Sequence, residues 1–543
     1  MMETRKRLAF VALVLALAVL PVFSGCNTDS RAQQAAPAKD ERAQTSKNLA
    51  QLTRSSGAAS DKEIASALDK LFDNSELAPA RWGVFVISLR DQRTVYSRNA
   101  DALFTPASNM KLFPTGVALE LLGADYRWRT SVYAATQPDS TGTINGDLIL
   151  YGRGAPDLSV QTGKEGGSSL TQLADDLYNQ GVRRLKGKVI GDESYFRGEA
   201  LGDGWQWNDL QWYFGAEASA LTINNNEVDI TILPPDKAVA PPLIHVTDAT
   251  GYVSVENKMA LVDGAGRMTV GIHRGLSDNV VRVWGTFPAG SKGFGARLSV
   301  HRPALWAARL FLQALKARGV VIEGDAQTVD SRQPPNERFD PSKAVELAFA
   351  SSKPLSEIAK ETNKGSINLY AELILRTLGR ERGSLIATSE TAGRERGDDE
   401  TGLAVIRLWL GRAGVSTEGL AFHDGSGLSR LDLISPKTFV GLLSVISQRG
   451  TNQVFRETLP LSGRDGTLGG RLSDLTDRVS AKTGSLTYDT ALSGYLARSD
   501  GEVLAFSIIC NDHTARLSST RTIDQVVSIL ATSPPSFSPK SGK

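Results

Sequence analysis

The sequence predicts an α+β protein in which a large β-rich insertion interrupts one folded unit. Helical spacing of apolar residues occurs near residue 61 and returns over residues 355–378. Between residues 126 and 344 the pattern changes to short alternating strands separated by Gly, Asn and Asp turns. Strand pairs are indicated at both ends of the chain, over 82–97 and 492–511. A chain of 543 residues is long enough for one core with further inserted domains.

The elements before the insertion are a helix, a strand pair and a second helix. Ile64, Leu68 and Leu71 have helical spacing, and strands over 82–89 and 93–97 flank the turn at residues 90–92. An apolar segment over 112–122 predicts the second helix, with Ser108 at or near its N-terminus. Lys111 then lies one turn on, on the same face as Ser108.

The first residues predict export. A basic stretch over residues 5–7 precedes an apolar run over 8–23 that is too short, and too interrupted by Pro21, for a membrane span. We therefore interpret residues 1–25 as a signal peptide of a periplasmic protein. The small residues before Cys26 resemble a bacterial lipoprotein processing site, although Phe23 stands where leucine is usual. Cys26 is thus a candidate for lipidation and membrane anchoring, with ordinary signal cleavage nearby as the alternative.

Composition limits the other partners. Residues 26–57 are polar and predict a disordered tether, and residues 531–543 predict a flexible tail. Lysine plus arginine number 61 against 59 aspartate plus glutamate, which gives no basic field for nucleic acid. The sequence has two cysteines, and the second, Cys510, lies in an apolar run. We therefore predict that its side chain is buried and forms no disulfide. The five histidines have no metal-ligand spacing, so we predict no metal and no cofactor.

Three short motifs occur in a fixed order. They are S-x-x-K at Ser108 and Lys111, S-x-N at Ser366 and Asn368, and K-T-G beginning at Lys482. Together they are typical of a serine acyl-transfer site that uses lysine as its base. A serine hydroxyl needs such a base, and lysine can serve only where burial or neighbouring cations, Lys482 among them, lower its pKa. A G-x-S-x-G elbow and a histidine triad are absent from the sequence, which disfavours a His-based hydrolase.

Two further matches to these motifs are better explained otherwise. A literal Ser277-Asp278-Asn279 separates two alternating runs, and we interpret it as a hairpin turn. Lys540-Ser541-Gly542 lies at the extreme C-terminus, where no strand can form around it. The S-x-N motif at Ser366 instead links two helical patterns, and the K-T-G motif stands immediately before the strand pair over 492–511.

The motifs and their surroundings resemble a known family. The stretches 107–113, 363–372, 424–429 and 481–487 look like the class C-type penicillin-binding D-alanyl-D-alanine carboxypeptidases/endopeptidases, a resemblance that covers about residues 60 to 530. The first gap, 258 residues from Ser108 to Ser366, is long as in this family and unlike class A β-lactamases, and 116 residues separate Ser366 from Lys482. The resemblance implies a penicillin-recognising serine transpeptidase/β-lactamase-like core. Its antiparallel five-stranded sheet with helices would be built from residues 58–125 and 345–530, with 126–344 inserted.

The resemblance also implies roles for individual residues. Ser108 would be the acylated nucleophile, Lys111 its general base and Ser366 a proton relay to the leaving D-alanine. Asn368 would bind the substrate amide, Lys482 and Thr483 its terminal carboxylate. The N–H groups of Ser108 and Ser485 would form the oxyanion hole. The substrate-binding set is Asn368, Lys482, Thr483, Gly484 and Ser485.

The implied partners are peptidoglycan stem peptides and, as acylating inhibitors, β-lactam antibiotics. Two alternatives are a non-catalytic penicillin-binding scaffold or sensor and a β-lactamase. Glu400 lies in a stretch close to the E-x-x-L-N loop of class A enzymes but without its asparagine, and we interpret it as the acidic first turn of a helix. The sequence leaves the balance between carboxypeptidase and endopeptidase activity open. It also leaves open whether five aromatic residues of the insertion pack against the core or line a groove: Trp205, Trp207, Trp212, Tyr213 and Phe214.

Overall fold

A computed structural model describes residues 60–74, 77, 79–161, 167–235, 240–334, 338–386, 397–514 and 518–532. The predicted signal peptide, Cys26 and the predicted tether lie outside these residues, as does the predicted tail beyond residue 532. Among the described helices, none is both long and apolar enough to cross a membrane.

Helices and strands alternate along the described chain. The helices are α1 (Asp61–Phe72), α2 (Leu112–Leu121), α3 (Leu170–Asn179), α4 (Pro303–Ala317), α5 (Leu355–Lys364), α6 (Asn368–Arg382), α7 (Asp398–Arg412), α8 (Pro436–Ser447), α9 (Asn452–Thr458) and α10 (Ser519–Leu530). The strands before residue 250 are β1 (Arg81–Ser88), β2 (Thr94–Arg98), β3 (Arg129–Ala134), β4 (Thr143–Ile144), β5 (Leu148–Tyr151), β6 (Arg184–Leu185), β7 (Val189–Asp192), β8 (Glu227–Leu233) and β9 (Leu243–Val246). The later strands are β10 (Ser254–Val262), β11 (Thr269–Arg274), β12 (Val280–Pro288), β13 (Phe294–Ser299), β14 (Val321–Ile322), β15 (Ala326–Val329), β16 (Val345–Ser351), β17 (Val479–Leu486), β18 (Asp489–Ala497) and β19 (Val503–Asn511).

The two ends of the chain share one antiparallel sheet. Its strand order is β17-β18-β19-β1-β2, so β1 from the first hundred residues pairs with β19 from the last fifty, with Val84 opposite Ile508. One face packs on α1 and α10 through residues such as Leu68 and Val527. The other face packs on α2, α6 and α8. The predicted five-stranded antiparallel sheet with helices is confirmed.

The insertion has a hydrophobic core of its own. A five-stranded sheet in the order β15-β7-β5-β3-β16 is joined by three smaller sheets of three strands each. Strand β16 pairs with β3, so the sheet of the insertion continues past residue 344 to Ser351. The insertion also contains α3 and α4, which the sequence analysis did not predict. Leu170, Leu173 and Leu177 of α3 are buried at helical spacing.

Several local predictions are confirmed. The turn after β11 contains Asp278, whose Oδ1 accepts from Val280 N at 2.9 Å, so Ser277-Asp278-Asn279 is hairpin-turn chemistry. Glu400 is exposed in the acidic first turn of α7. Cys510 is fully buried on β19.

Candidate active site

Ser108 and Lys111 lie in a 3₁₀ turn that leads into α2. This turn spans Ala107–Lys111 and brings Lys111 Nζ to 2.9 Å from Ser108 Oγ. Thr115 stabilises it by donating its hydroxyl to the Lys111 carbonyl at 2.7 Å. The lysine is fully buried, whereas Ser108 is partly exposed. The turn therefore presents a reachable hydroxyl against a desolvated amine.

Two acceptors orient the Lys111 amine. Its Nζ lies 2.7 Å from Asn368 Oδ1 and 2.6 Å from the Ser426 carbonyl. Asn368 Nδ2 donates to the Phe214 carbonyl at 2.8 Å, and this contact fixes which end of the amide faces the lysine. Both neighbours of the amine can only accept, so the two protons of a neutral amine point at them. The nitrogen lone pair is then left for the proton of Ser108 Oγ.

Burial makes this neutral state accessible. Removal from water lowers the pKa of Lys111 to about 7, although the charges of Asp424 and Glu372 act in the opposite direction. With an ordinary pKa of about 10.4, a lysine would be neutral in only about 0.04% of molecules at pH 7. Lys111 has the protonation equilibrium that a general base needs near neutral pH.

Ser366 and Lys482 form a second contact at the site. Ser366 lies in the connection between α5 and α6, as predicted, and has the left-handed φ of 56°. Lys482 Nζ donates to Ser366 Oγ and to the Thr483 carbonyl, both at 2.9 Å. Burial lowers the pKa of Lys482 well below its ordinary value, and repulsion from Lys111 lowers it further. The sequence led us to expect that Lys482 would lower the pKa of Lys111, whereas burial is what lowers the pKa of Lys111 and the repulsion acts on Lys482.

The K-T-G motif lies inside strand β17, which corrects its predicted position just before the strand pair. β17 is an edge strand, and Ala481 N on its outer side donates to the Pro460 carbonyl at 3.0 Å. Because backbone groups alternate along a strand, the N–H groups of Thr483 and Ser485 point to the same outer side. A Cβ on Gly484 would lie 2.7 Å from the Pro106 carbonyl. Only glycine lets the edge approach the nucleophile turn this closely.

A hydroxyl pair continues the site beyond Lys482. Thr483 Oγ1 donates to Thr467 Oγ1 at 2.7 Å. Thr467 is exposed in the 3₁₀ turn Gly466–Leu468 that follows α9. A buried amine beside a pair of hydroxyls, of which Thr483 is buried and Thr467 exposed, is suited to bind a carboxylate.

The buried loop over residues 424–429 completes the site, although its sequence predicted no role for it. Asp424 accepts from the N–H groups of Gly427, Leu428 and Ser429 at 2.7–3.0 Å. Glu372 Oε1 accepts from Gly425 N and Ser426 N, both at 2.9 Å. These bonds direct the Ser426 carbonyl towards Lys111. The resemblance of stretches 363–372 and 424–429 to the family was the sequence signal that could have indicated this loop. Neither stretch shows by itself that the two lie in contact in the fold.

A segment of the insertion lies across this site. Residues 197–218, which we call the strap, bring Trp205 Nε1 to 2.9 Å from Asp424 Oδ2 and the Phe214 carbonyl to Asn368. Trp212 bridges to Leu298, and Arg297 stacks over Tyr213. Most of the aromatic residues singled out in the sequence therefore have packing or hydrogen-bonding roles. Trp207 differs, since 70% of it is exposed.

Within the described ranges, no group of three or more His, Cys, Asp or Glu side chains is placed to hold a metal ion. The functional groups at the site are a hydroxyl, two buried amines, amides and carboxylates in hydrogen bonds.

Comparison with known proteins decides the family. The model of the D-Ala-D-Ala carboxypeptidase 3 (S13) family matches residues 64–533. The chain belongs to this family. It is a serine-type D-alanyl-D-alanine carboxypeptidase, as the motifs and their spacing predicted.

Relatives of this carboxypeptidase cover most of its length. It is 33% identical over 465 residues to a D-alanyl-D-alanine carboxypeptidase of Actinomadura sp., covering 83% of this chain and 81% of that protein. It is 26% identical over 443 residues to the D-alanyl-D-alanine carboxypeptidase DacB of Haemophilus influenzae, covering 80% and 85%. The crystal structure of penicillin binding protein 4 (dacB) from Haemophilus influenzae superposes with a TM-score of 0.70 at 25% identity, covering 86% of this chain and 98% of that one. The penicillin-recognising fold is confirmed.

Proposed function

We propose that Ser108 is the nucleophile of this carboxypeptidase and Lys111 its general base. The observation that carries the proposal is the Lys111 amine, whose two protons are directed at Asn368 Oδ1 and the Ser426 carbonyl. Ser108 Oγ attacks the carbonyl carbon between the two D-alanines, and its proton moves to Lys111 Nζ. The N–H groups of Ser108 and Ser485 stabilise the oxyanion that develops.

Departure of the leaving group involves Ser366 and Lys482. The C–N bond breaks, and Ser366 Oγ, in contact with Lys482 Nζ at 2.9 Å, relays a proton to the departing D-alanine amine. The ester on Ser108 is then hydrolysed by water, which returns the proton to Ser108 and releases the shortened peptide. Protein groups thus relay the proton taken from Ser108 to the leaving amine, and water supplies the proton that returns to Ser108.

Substrate recognition depends on the edge of β17 and on Asn368. Lys482 and the Thr483 hydroxyl bind the terminal carboxylate of the stem peptide, and Asn368 Nδ2 has a second proton for the substrate amide. Gly484 gives the peptide backbone access to the edge beside the nucleophile turn. The same carboxylate contact fits a peptidoglycan stem peptide and the carboxylate of a β-lactam.

We further propose that β-lactams acylate Ser108 and that water hydrolyses the resulting acyl-enzyme ester slowly. The buried carboxylates beside the site accept several hydrogen bonds: Glu372 from Arg376 at 2.7 Å and two backbone N–H groups, Asp424 from backbone, Ser426 and Trp205. Both carboxylates are buried and their oxygens are occupied by these hydrogen bonds, so neither is placed to activate a water molecule. Glu400, the acid considered for a β-lactamase, is exposed on the first turn of α7. The arrangement therefore favours a penicillin-inhibited peptidase over a β-lactamase.

Release of D-alanine tests this proposal. The wild-type protein should release D-alanine from a synthetic pentapeptide ending in D-alanyl-D-alanine, and Ser108→Ala should release none. Cross-linked muropeptides assayed in parallel distinguish D,D-endopeptidase from carboxypeptidase activity. A folded wild-type protein that binds labelled penicillin but cleaves neither substrate would instead support the scaffold or sensor.

We also propose that residues 1–25 direct export to the periplasm and that Cys26 carries a lipid anchor at the end of a tether. The basic and apolar patterning of residues 5–23 and the small residues before Cys26 support this proposal. We propose the division predicted from the sequence, a catalytic domain over 58–125 and 345–530 with 126–344 inserted, except that β16 (Val345–Ser351) pairs with β3 and belongs to the inserted part. Cys26→Ser should move the protein from the detergent fraction to the aqueous one. Equal partitioning of both proteins would contradict the anchor.

A further inference from the structure

Of the two groups that orient the Lys111 amine, Asn368 contacts the strap directly and Ser426 is connected to it through Asp424. Asn368 accepts from Lys111 through Oδ1 because its Nδ2 donates to the Phe214 carbonyl at 2.8 Å. The Ser426 carbonyl lies in the 424–429 loop, whose Asp424 accepts from Trp205 Nε1 at 2.9 Å. The insertion thus binds one acceptor of the base directly and the loop that carries the other through Asp424.

A second route joins the strap to the same loop. The buried Arg376 donates through Nη2 to the Glu199 carbonyl at 3.1 Å and through Nη1 to Glu372 Oε2 at 2.7 Å. Glu372 in turn accepts from Gly425 N and Ser426 N. Trp205 and Glu199 therefore act on opposite ends of one polar network, and that network presents the Ser426 carbonyl.

The strap itself is fixed to the insertion and to the core. Ser299 Oγ and Arg274 Nη2 both donate to the Leu210 carbonyl, at 2.6 and 2.8 Å. At its start Arg197 Nη2 forms a 2.8 Å ion pair with the buried Asp398 at the N-terminus of α7. These anchors leave little freedom for Trp205 and Phe214.

We propose that Trp205 is a positioning residue for the general base, acting through Asp424 and the Ser426 carbonyl, and that the Phe214 carbonyl does the same through Asn368. The proposal rests on the assignment of Lys111 as the base. It gives the insertion a part in catalysis: the core supplies the reacting groups, and the strap sets the direction of the lysine lone pair.

The charges around Asp424 predict in which direction the loss of the Trp205 N–H shifts the pKa of Lys111. The Asp424 charge favours protonated Lys111, and the Trp205 N–H partly offsets that charge at Oδ2. Removing the indole N–H should therefore favour protonated Lys111 and move the acid limb of the rate profile to higher pH. The charged groups around this path are Glu372, Arg376, Asp399, Asp424, Asp432 and Lys482.

The experiment compares Trp205→Phe with Trp207→Phe in the full chain. The rate constant for acylation by a chromogenic β-lactam is measured from pH 5 to 9, with thermal unfolding as a check on folding. We expect Trp205→Phe to slow acylation about tenfold and to shift the midpoint of the acid limb to higher pH by about half a unit. Trp207 is exposed and lies two residues away, so Trp207→Phe should leave the acid limb in place even if it alters substrate affinity.

A double-mutant cycle tests whether Trp205 acts on Lys111 through Asp424. If Trp205 acts through Asp424, the effects of Trp205→Phe and Asp424→Asn on acylation should be non-additive. Additive effects, or an unmoved acid limb in a folded Trp205→Phe protein, would overturn the inference while the active wild-type protein still supports the proposed function. A wild-type protein that releases no D-alanine and leaves cross-linked muropeptides intact would overturn the proposed function itself.

Discussion

Lys111 combines three properties that a lysine base requires. It is buried, it lies 2.9 Å from Ser108 Oγ, and two fixed acceptors receive its protons. Burial lowers its pKa because the ammonium loses its hydration, and the nearby acids limit this effect. The second lysine, Lys482, shares the buried setting but faces Ser366 and the expected carboxylate position.

The pH dependence of acylation follows from this pKa. Protonated Lys111 cannot accept the Ser108 proton, so the second-order rate constant should fall as pH drops below about 7. At two units below the pKa, about 1% of the lysine is neutral, and the rate should be about 100-fold lower than on the plateau. Stopped-flow acylation between pH 5 and 9 measures it. A rate that keeps rising up to pH 9 would contradict the lowered pKa of Lys111.

At the scale of elements, the site forms where four segments meet. The nucleophile turn, the α5–α6 connection, the edge of β17 and the 424–429 loop each contribute one set of groups. The closest approach is between the loop and the turn, where Gly427 has a φ of 77°. A Cβ at this position would lie 1.8 Å from the Ala107 carbonyl, directly before the nucleophile.

Gly427→Ala should therefore damage catalysis more than stability. The added methyl group must displace the backbone beside Ser108, and a displacement of about 1 Å can cost roughly 100-fold in rate. Acylation rate and thermal midpoint are measured together. Gly411→Ala is the matched control: Gly411 lies in α7 with no atom within 4 Å of its added Cβ, so activity should be unchanged and stability slightly raised. Unchanged acylation in Gly427→Ala would contradict the close approach.

The sequence could predict the catalytic motifs but not the groups that orient them. Ser108 and Lys111 are one helical turn apart, so local spacing was sufficient. The Ser426 carbonyl is 315 residues from Lys111, and Phe214 is 154 from Asn368, so these contacts depend on the tertiary fold. Strand β17 was missed because Ser480, Lys482 and Gly484 are weak strand formers, and pairing with β18 decides their conformation.

At the scale of the whole molecule, a buried charge cluster holds the N-terminal strands β1 and β2 to the C-terminal strands β18 and β19. Glu502, between β18 and β19, accepts from Ser88 Oγ at 2.7 Å and forms ion pairs with Arg93 at 2.6 Å and Arg498 at 2.7 Å. Burial alone would raise the pKa of Glu502, but the bonds from Arg93 and Ser88 and the charge of Arg498 hold it at about 2. Arg93 and Arg498 both also contact Asp61 of α1.

This cluster predicts a pH-dependent contribution to stability. Because the folded pKa of Glu502 is depressed, its contribution is complete above the unfolded pKa near 4.5 and is lost as pH falls through about 2. Glu502→Gln should destabilise the protein by roughly 3 kcal/mol at pH 7, and the difference should shrink at pH 3. Thermal midpoints of both proteins at the two pH values measure it. Glu323→Gln, in an exposed pair with Arg184, should have little effect at either pH.

A constant gap between wild-type and Glu502→Gln from pH 7 to pH 3 would contradict the electrostatic origin of this contribution. The same cluster shows why the long insertion is tolerated. Residues from 61 to 98 and from 479 to 511 close one sheet, and the insertion leaves and re-enters the core on the α2 and α5 side, away from that closure.

The most direct test of the central claim is the site of covalent labelling. The protein is incubated with a reporter penicillin, digested and mapped by mass spectrometry. We predict one adduct, on the peptide that contains Ser108, and no adduct in Ser108→Ala. An adduct on another residue, or labelling that persists in Ser108→Ala, would contradict the assignment of the nucleophile and with it the lysine-activated mechanism.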